Sequence, residues 1–321
     1  MPVTRRFLLA AGASLPLAAP ALAQAPAWPS RPVTIVVAFA PGGAADVLAR
    51  IIAQQLSAQL GQPFVVENRV GGGGTLSAAA VAQARPDGQT LLLLTSGHAV
   101  NETLAPARGY DILRDLKPAA LFAETPYWLV TPPNRATSLA DLLEKAKKEP
   151  MTFASGGPVG LAHLLGEMLR QDTKLDLTHI PYRGNSPALT DLLAGRVDML
   201  FDNSGAVVDH IKGGRLKALA TTSAARLPAT PDVPTMAEQG FPDFVVSAWL
   251  GLAAPAATDP RIVARLSDEV AKAVASPEVV ARISTAGAEP KLLDAEGFQA
   301  LVQREIPRWA EVIKTGNVTV N

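Results

Sequence analysis

The hexapeptide Pro-Gly-Gly-Ala-Ala-Asp at positions 41–46 offers chemistry made of backbone rather than side chains. It joins an apolar run at Val33–Phe39 to an amphipathic pattern at Asp46–Leu60. The first N–H groups of a helix have no intrahelical acceptor, and together they carry about half a positive charge. Pro41, Gly42, Gly43, Ala44 and Ala45 place nothing bulky in front of them. Such a turn can hold a phosphate or a carboxylate. It can also be only a tight turn, with Asp46 favouring the helix dipole. Nucleotide phosphate is poorly served, because this loop is no G-x-G-x-x-G and the chain has no G-x-x-x-x-G-K-[ST].

The arrangement recurs. Residues 153–169 read as strand, glycine-rich loop and helix, with Ser155, Gly157, Val159 and Gly160 in the loop. Residues 180–195 repeat the order, with Tyr182 and Arg183 ahead of Pro187, which suits a first helical turn. Residues 66–82, with four consecutive glycines, are a fourth case. Several such loops, divided between two halves of the chain, predict helix starts converging on one cleft around a small anion. Three or four charge-assisted hydrogen bonds contribute roughly 1.5–3 kcal/mol each. After closing costs they reach about −8 kcal/mol, a micromolar Kd.

Side-chain chemistry is thin. No G-x-S-x-G or H-E-x-x-H occurs. His98, His163, His179 and His210 are scattered without helical ligand spacing. Ser96 and His98 follow a strand end, where sites gather; His98 either touches the ligand or satisfies a loop carbonyl. His163, early in a helix, reads as a packing or bracing residue. Asp198 and Asp202 are four apart but lack further metal ligands. Asp202 and Asn203 end a strand and either contact ligand or cap a helix. The reading is a non-enzyme with no catalytic residue, no metal and no cofactor. The alternative, an α/β enzyme acting on a carboxylate or phosphate ester, needs a nucleophile–base pair that the sequence does not display.

The elements that must position these groups alternate. Strand signals fall at Val33–Phe39, Phe64–Glu67, Thr90–Thr95, Trp128–Thr131, Thr152–Ser155, Leu177–Pro181, Val197–Asp202, Leu216–Thr221 and Phe244–Ala253. Helical periodicity covers Asp46–Leu60, Thr75–Ala84, Leu139–Lys148, Leu161–Gln171, Ala188–Leu193, Ala206–Lys212, Pro260–Ala275 and Ala295–Lys314. Such alternation predicts an α/β protein with parallel sheets under covering helices. Two extended stretches, 124–134 and 240–255, look like crossings between lobes. The first lobe would hold residues 27–124 plus 250–321 and the second 125–249, with a hinge and cleft between them.

The N-terminus adds a location. Arg5 and Arg6, an apolar run and Ala21-Leu22-Ala23 form a secretory signal peptide over residues 1–23. The adjacent arginines leave both the general secretory and the twin-arginine routes open. Removing 23 of the 321 residues leaves 298, enough for two cored domains. These carry 27 basic and 29 acidic residues, a net charge of −2. No basic surplus points to nucleic acid or an anionic membrane. Without cysteine there is no disulfide and no lipid-anchor site, and no later run reaches membrane-spanning length. A soluble protein of the Gram-negative periplasm is expected.

At this point the chain resembles the Bug family, the periplasmic solute-binding proteins of tripartite tricarboxylate transporters. The likeness covers essentially all of the mature chain. It rests on WPxRPVTIVV at 28–37, PGGAADVLAR at 41–50, ENR at 67–69, PDGQTLL at 86–92 and HIPYRG at 179–184. It continues through PALTDLLAGRVDMLFDN at 187–203, PDVPTMAEQG at 231–240 and SAWLGLAAP at 247–255. The resemblance implies a two-lobed Venus-flytrap fold that binds small organic carboxylates and presents them, as a monomer, to membrane transporter subunits. A signalling receptor that docks a sensor would show the same site. By the resemblance, one ligand carboxylate falls to Phe39, Pro41, Gly42, Gly43, Ala44, Ala45 and Asp46. The second lobe would contribute the 155–160 loop, Tyr182, Arg183 and Asp202. One departure stands out: relatives commonly show G-x-G-S-S-S-H-L where this chain has Gly157-Pro158-Val159-Gly160-Leu161-Ala162-His163-Leu164. With the serines gone and Tyr127 and Trp128 near a crossing, the expected ligand is less polar than citrate, an aromatic acid or a medium dicarboxylate.

Overall fold

The computed structural model describes residues 28–157 and 160–319, so the expected signal peptide, Pro158 and Val159 lie outside the described residues. The chain opens with β1 (Val33–Val37), α1 (Ala44–Leu60), β2 (Phe64–Asn68) and α2 (Thr75–Ala82). Next come β3 (Thr90–Thr95), α3 (Ser96–Leu104), α4 (Ile112–Asp115) and β4 (Leu116–Pro126). The middle contains β5 (Trp128–Thr131), α5 (Leu139–Ala146), β6 (Met151–Ser155), α6 (Leu161–Thr173) and β7 (Leu177–Pro181). It closes with α7 (Asn185–Leu193), β8 (Met199–Asp202), α8 (Gly205–Lys212) and β9 (Lys217–Thr221). The chain ends with β10 (Ser247–Pro255), α9 (Pro260–Val274), α10 (Pro277–Thr285), β11 (Glu289–Leu293) and α11 (Ala295–Gly316).

Two sheets result. One has the order β11-β4-β10-β3-β1-β2, the other β7-β6-β8-β5-β9. Both are mixed, where alternation alone predicted parallel pairing. β1 pairs in parallel with β2 and β3, and β6 with β7 and β8. β10, however, re-enters the first sheet from the other lobe and so lies antiparallel to β3 and β4. β5, entering the second sheet from β4, lies antiparallel to β8 and β9.

The cores follow the two-residue period of the strands. Val33, Ile35 and Val37 join Leu48, Ile52 and Leu56 of α1 and Val263, Leu266 and Val270 of α9. These helix positions recur at three- and four-residue spacing, the stripe an amphipathic helix buries. Val36, Leu92 and Leu94 face the other way, toward Ala78, Val81, Val100, Phe298 and Trp309. That second cluster runs on into the other lobe through Leu164, Leu165, Phe153 and Phe201.

The lobes meet at two connections. Tyr127 alone separates β4 from β5, within the stretch expected to cross. The return runs through residues 222–246; the conspicuous SAWLGLAAP run is already a strand of the six-stranded sheet. The sequence reading also missed α3, α10 and β11, and saw only the end of β4. α10 is separated from α9 only by a turn, and β11 has a mixed, partly exposed composition, so neither announces its own period.

Candidate functional site

A cavity of about 360 Å³ opens between the two sheets. From the first sheet it is lined by Gly43, Ala44, Ala45 and Leu48 at the start of α1, and by Thr95, Ser96 and Gly97 at the β3–α3 turn. Thr125 of β4 and Ala248, Trp249 and Leu250 of β10 complete that side. The second sheet contributes Leu161, the first residue of α6, and Asn203, between β8 and α8. Phe39, 42% exposed, stands at the rim, and Tyr127 lines the cavity at the junction. Three helix starts from two sheets therefore border one space. A larger cavity of about 860 Å³ lies against α11, but no α-helix begins among its lining residues, and Lys291, Arg304 and Arg308 there mix with Glu124, Asp172 and Glu311. Backbone anion binding belongs to the smaller space.

The α1 start is built to stay bare. Its N-cap is Gly43, which has no side chain to cap the amides. Gly42 sits at φ +80°, a left-handed conformation that favours glycine. Asp46 is only 2% exposed and works underneath the loop. Its Oδ2 accepts from Gly42 N and Arg50 Nε, both at 2.9 Å, and its Oδ1 accepts from Arg50 Nη2 and Asn68 Nδ2. Asn68 Nδ2 also donates to Phe39 O. The Arg50 hydrogen bonds outweigh burial and hold the Asp46 carboxyl down at about 2. Asp46 thus braces the loop instead of facing a guest, because four donors already occupy its oxygens.

The α3 start is partly self-capped. Thr95 N donates to His98 Nδ1 at 3.1 Å, and the Thr95 side chain answers the His98 amide. His98 is 1% exposed, its Nε2 comes up against Gly74, and burial pushes its pKa down to about 4. It is a neutral brace behind the turn. Ser96 and Gly97 are left to line the cavity.

On the second sheet, Gly160 caps α6 without a side chain. Ser155 is buried behind that loop. Its hydroxyl donates to Gly157 O at 2.6 Å and lies 2.7 Å from His179 Nε2, which therefore acts as the donor of that pair. The His179 ring stacks on His163 with centroids 3.6 Å apart and on Phe153 at 5.0 Å. Burial first, and then the neighbouring His163, pushes the His179 pKa down to about 4. This is the Ser–His contact an enzyme reading needs, but the hydroxyl is buried and its proton is committed to a carbonyl.

Asp202 is fully buried at the starts of α7 and α8. Its Oδ1 accepts from Ser204 N at 2.9 Å and Asn185 Nδ2 at 3.2 Å, and its Oδ2 from Ser204 Oγ at 3.1 Å. No cation pairs with it among the described residues, and burial raises its pKa. It ties the Ser204 turn ahead of α8 to Asn185, the first residue of α7. Tyr182 is turned aside, its hydroxyl donating to Asp191 Oδ2 at 2.7 Å, and Arg183 is exposed. Trp128 is core, donating to Thr230 Oγ1 on the face away from Tyr127.

Of the expected site residues, the structure gathers Phe39, Gly43, Ala44, Ala45 and Ser96 at the cavity. Pro41, Gly42, Asp46, His98, Ser155, Gly157, Gly160, Tyr182, Arg183 and Asp202 are not among its lining residues, and Val159 lies outside the described residues. Asn203, read together with Asp202 at that strand end, does line the cavity, and Leu48, Thr95, Gly97, Thr125 and Ala248–Leu250 were missed. Thr95 and Gly97 carry the same small-residue strand-to-helix signal as residues 41–46, obscured because the α3 helix went unread.

Comparison with known proteins gives the chain's family and the likeness of its fold. Residues 48–318 match the family described as tripartite tricarboxylate transporter family receptor. The chain is 39% identical over 313 residues to the protein BugT of Bordetella pertussis, covering 96% of this chain and 94% of that one. The structure of Rpa4515 of R. palustris with adipate is 35% identical, with a TM-score of 0.76 over 91% of this chain and 99% of that chain. The structure of MatC from Rhodopseudomonas palustris with bound malate is 35% identical, with a TM-score of 0.71 over 89% of this chain and 100% of that chain.

Proposed function

The chain belongs to the tripartite tricarboxylate transporter receptor family, and from that premise we propose that its cleft captures a small organic carboxylate for delivery to a membrane transporter. The two-lobed periplasmic-binding-protein fold supplies the frame. The observation that carries the reading is the meeting of the α1, α3 and α6 starts at one cavity with no charged side chain in its lining among the described residues. Bare amides replace the water around a carboxylate and hold it without a counter-ion. Solved relatives with adipate and with malate support the ligand class.

The proposed site is Phe39, Gly43, Ala44, Ala45 and Ser96 on one lobe, with Leu161 and Asn203 on the other. We take the lobes as residues 27–124 plus 250–321 and 125–249, although Thr125–Pro126 and Ser247–Trp249 pair within the first sheet. Ligand bridges them because it binds the closed arrangement better than the open one, which shifts the population. The role is that of a receptor, not a catalyst, and its place is the periplasm. Native mass spectrometry of gently purified protein tests this: release of an intact organic acid is expected, and catalytic turnover of the bound compound would overturn the reading.

A further inference from the structure

Resting on that receptor reading, we propose that the cleft selects a carboxylate with a single charged end and an apolar body over dicarboxylates and tricarboxylates of similar length. The two sides of the cavity are unequal. Every aliphatic hydroxyl in the lining, on Thr95, Ser96 and Thr125, stands on the first-sheet side, where the starts of α1 and α3 also meet. One carboxylate is fully served there.

The opposite side offers no second seat. No lysine, arginine or histidine lines the cavity among the described residues. The residue before Asn203 is itself a carboxylate: buried Asp202 takes Asn185 Nδ2, Ser204 N and Ser204 Oγ. A second guest carboxylate beside Asn203 would meet that charge one residue away, with no cation between them. Like charges in a poorly solvated site disfavour one another. Among the described residues α6 reaches the lining at Leu161, so the amide that this start brings comes with an apolar side chain and no hydroxyl or cation beside it. Leu48, Trp249 and Leu250 on the first-sheet side and Tyr127 at the junction favour a hydrocarbon or aromatic body. A hydroxylated, multiply charged guest would leave its polar groups unpaired against that wall.

Hexanoate and adipate test this cleanly, because they share a six-carbon chain and differ only in the far end. Calorimetric titration of the mature protein with hexanoate, phenylacetate, adipate, citrate and hexanamide should give hexanoate or phenylacetate at least tenfold tighter than adipate. Citrate should bind more weakly still, and hexanamide not at all. Adipate binding as tightly as hexanoate and phenylacetate, or more tightly, overturns the inference and leaves the receptor reading intact. If no acid binds, or hexanamide matches hexanoate, the receptor reading itself falls. Asn203→Lys supplies the missing cation at the second-sheet side and should raise the ratio of adipate to hexanoate affinity at least tenfold. An unchanged ratio, with the variant melting like the parent, also overturns the inference.

Discussion

Thr222 and Tyr127 hold each other by a reciprocal pair of hydrogen bonds at the only residue between the two sheets' adjoining strands. Tyr127 N donates to Thr222 Oγ1 at 2.8 Å, and Thr222 N donates to Tyr127 O at 2.8 Å. The same threonine accepts from Val246 N at 3.0 Å and donates its hydroxyl to Val246 O at 2.6 Å. One buried residue therefore ties the outgoing connection to the return, and a movement of one lobe must turn about it. Thr222→Val keeps the shape but strands the Tyr127 N–H and the Val246 carbonyl. Leaving a buried group unsatisfied costs about 1–3 kcal/mol. Urea unfolding should show a loss of that size; unchanged stability would mean the junction is held by packing alone.

The Asp46 brace makes a different prediction. Asp46→Asn removes the ion pair with Arg50 and places an amide donor among the three groups that donate to it. The α1 loop should lose its fixed shape, and affinity for the best-binding acid of the hexanoate–adipate panel should fall about tenfold, roughly 1.4 kcal/mol. Because its pKa is depressed to about 2 from 3.8, the folded-state contribution of Asp46 is present above pH 3.8 and lost only as pH falls toward 2. Binding measured between pH 5 and 8 should therefore show no Asp46 titration. Full affinity in the variant would remove Asp46 from the account.

The buried His98 and the half-buried His179 set the acid response. His98 and His179 both have pKa values lowered from 6.5 to about 4. Between those values the unfolded chain binds more protons than the folded one, so stability rises with pH across the window. It is complete above pH 6.5 and declines as pH falls toward 4. His179 faces His163, Phe153, Ser155 and, beyond His163, Glu167. Thermal melts at pH 7.5 and pH 5 should show a lower Tm in acid, with a smaller drop in His179→Asn. An equal drop in both proteins would show that the stacked ring does not titrate as described.

Gly166 shows how closely α6 is laid on β6. A Cβ built there would sit 2.1 Å from the Phe153 ring. Gly166→Ala should destabilise by about 1–3 kcal/mol through overpacking, despite alanine's better helix propensity. A more stable variant would mean that the helix has room to shift.

The fold was legible where one period dominated a segment, as in α1, whose buried Leu48, Ile52 and Leu56 stand at four-residue spacing. Mixed pairing was not legible, because β10 becomes antiparallel only through its return from the other lobe. In the site, the glycine loop at 41–46 was readable since bare backbone before a helix has few other uses. Asp46, His98 and Asp202 were harder. A polar residue at a helix start serves a guest or the chain itself, and only the neighbours decide: Arg50 and Asn68 for the first, Thr95 for the second, Ser204 and Asn185 for the third. Trp249 and Leu250 were hidden because a strand crossing the cleft floor looks like any other buried strand.

The central claim is that amide hydrogens, not side chains, hold the carboxylate, and Ala44→Pro addresses it most directly. Ala44 is the first residue of α1, where proline is well tolerated. Gly43, at φ −72° and ψ 162°, already has the extended conformation that precedes a proline. The substitution deletes one N–H facing the cavity and little else. Titration with hexanoate and adipate should show at least a tenfold loss of affinity for whichever acid the parent binds, with the melting temperature within a few degrees of the parent. Undiminished binding by a folded Ala44→Pro protein would contradict the account.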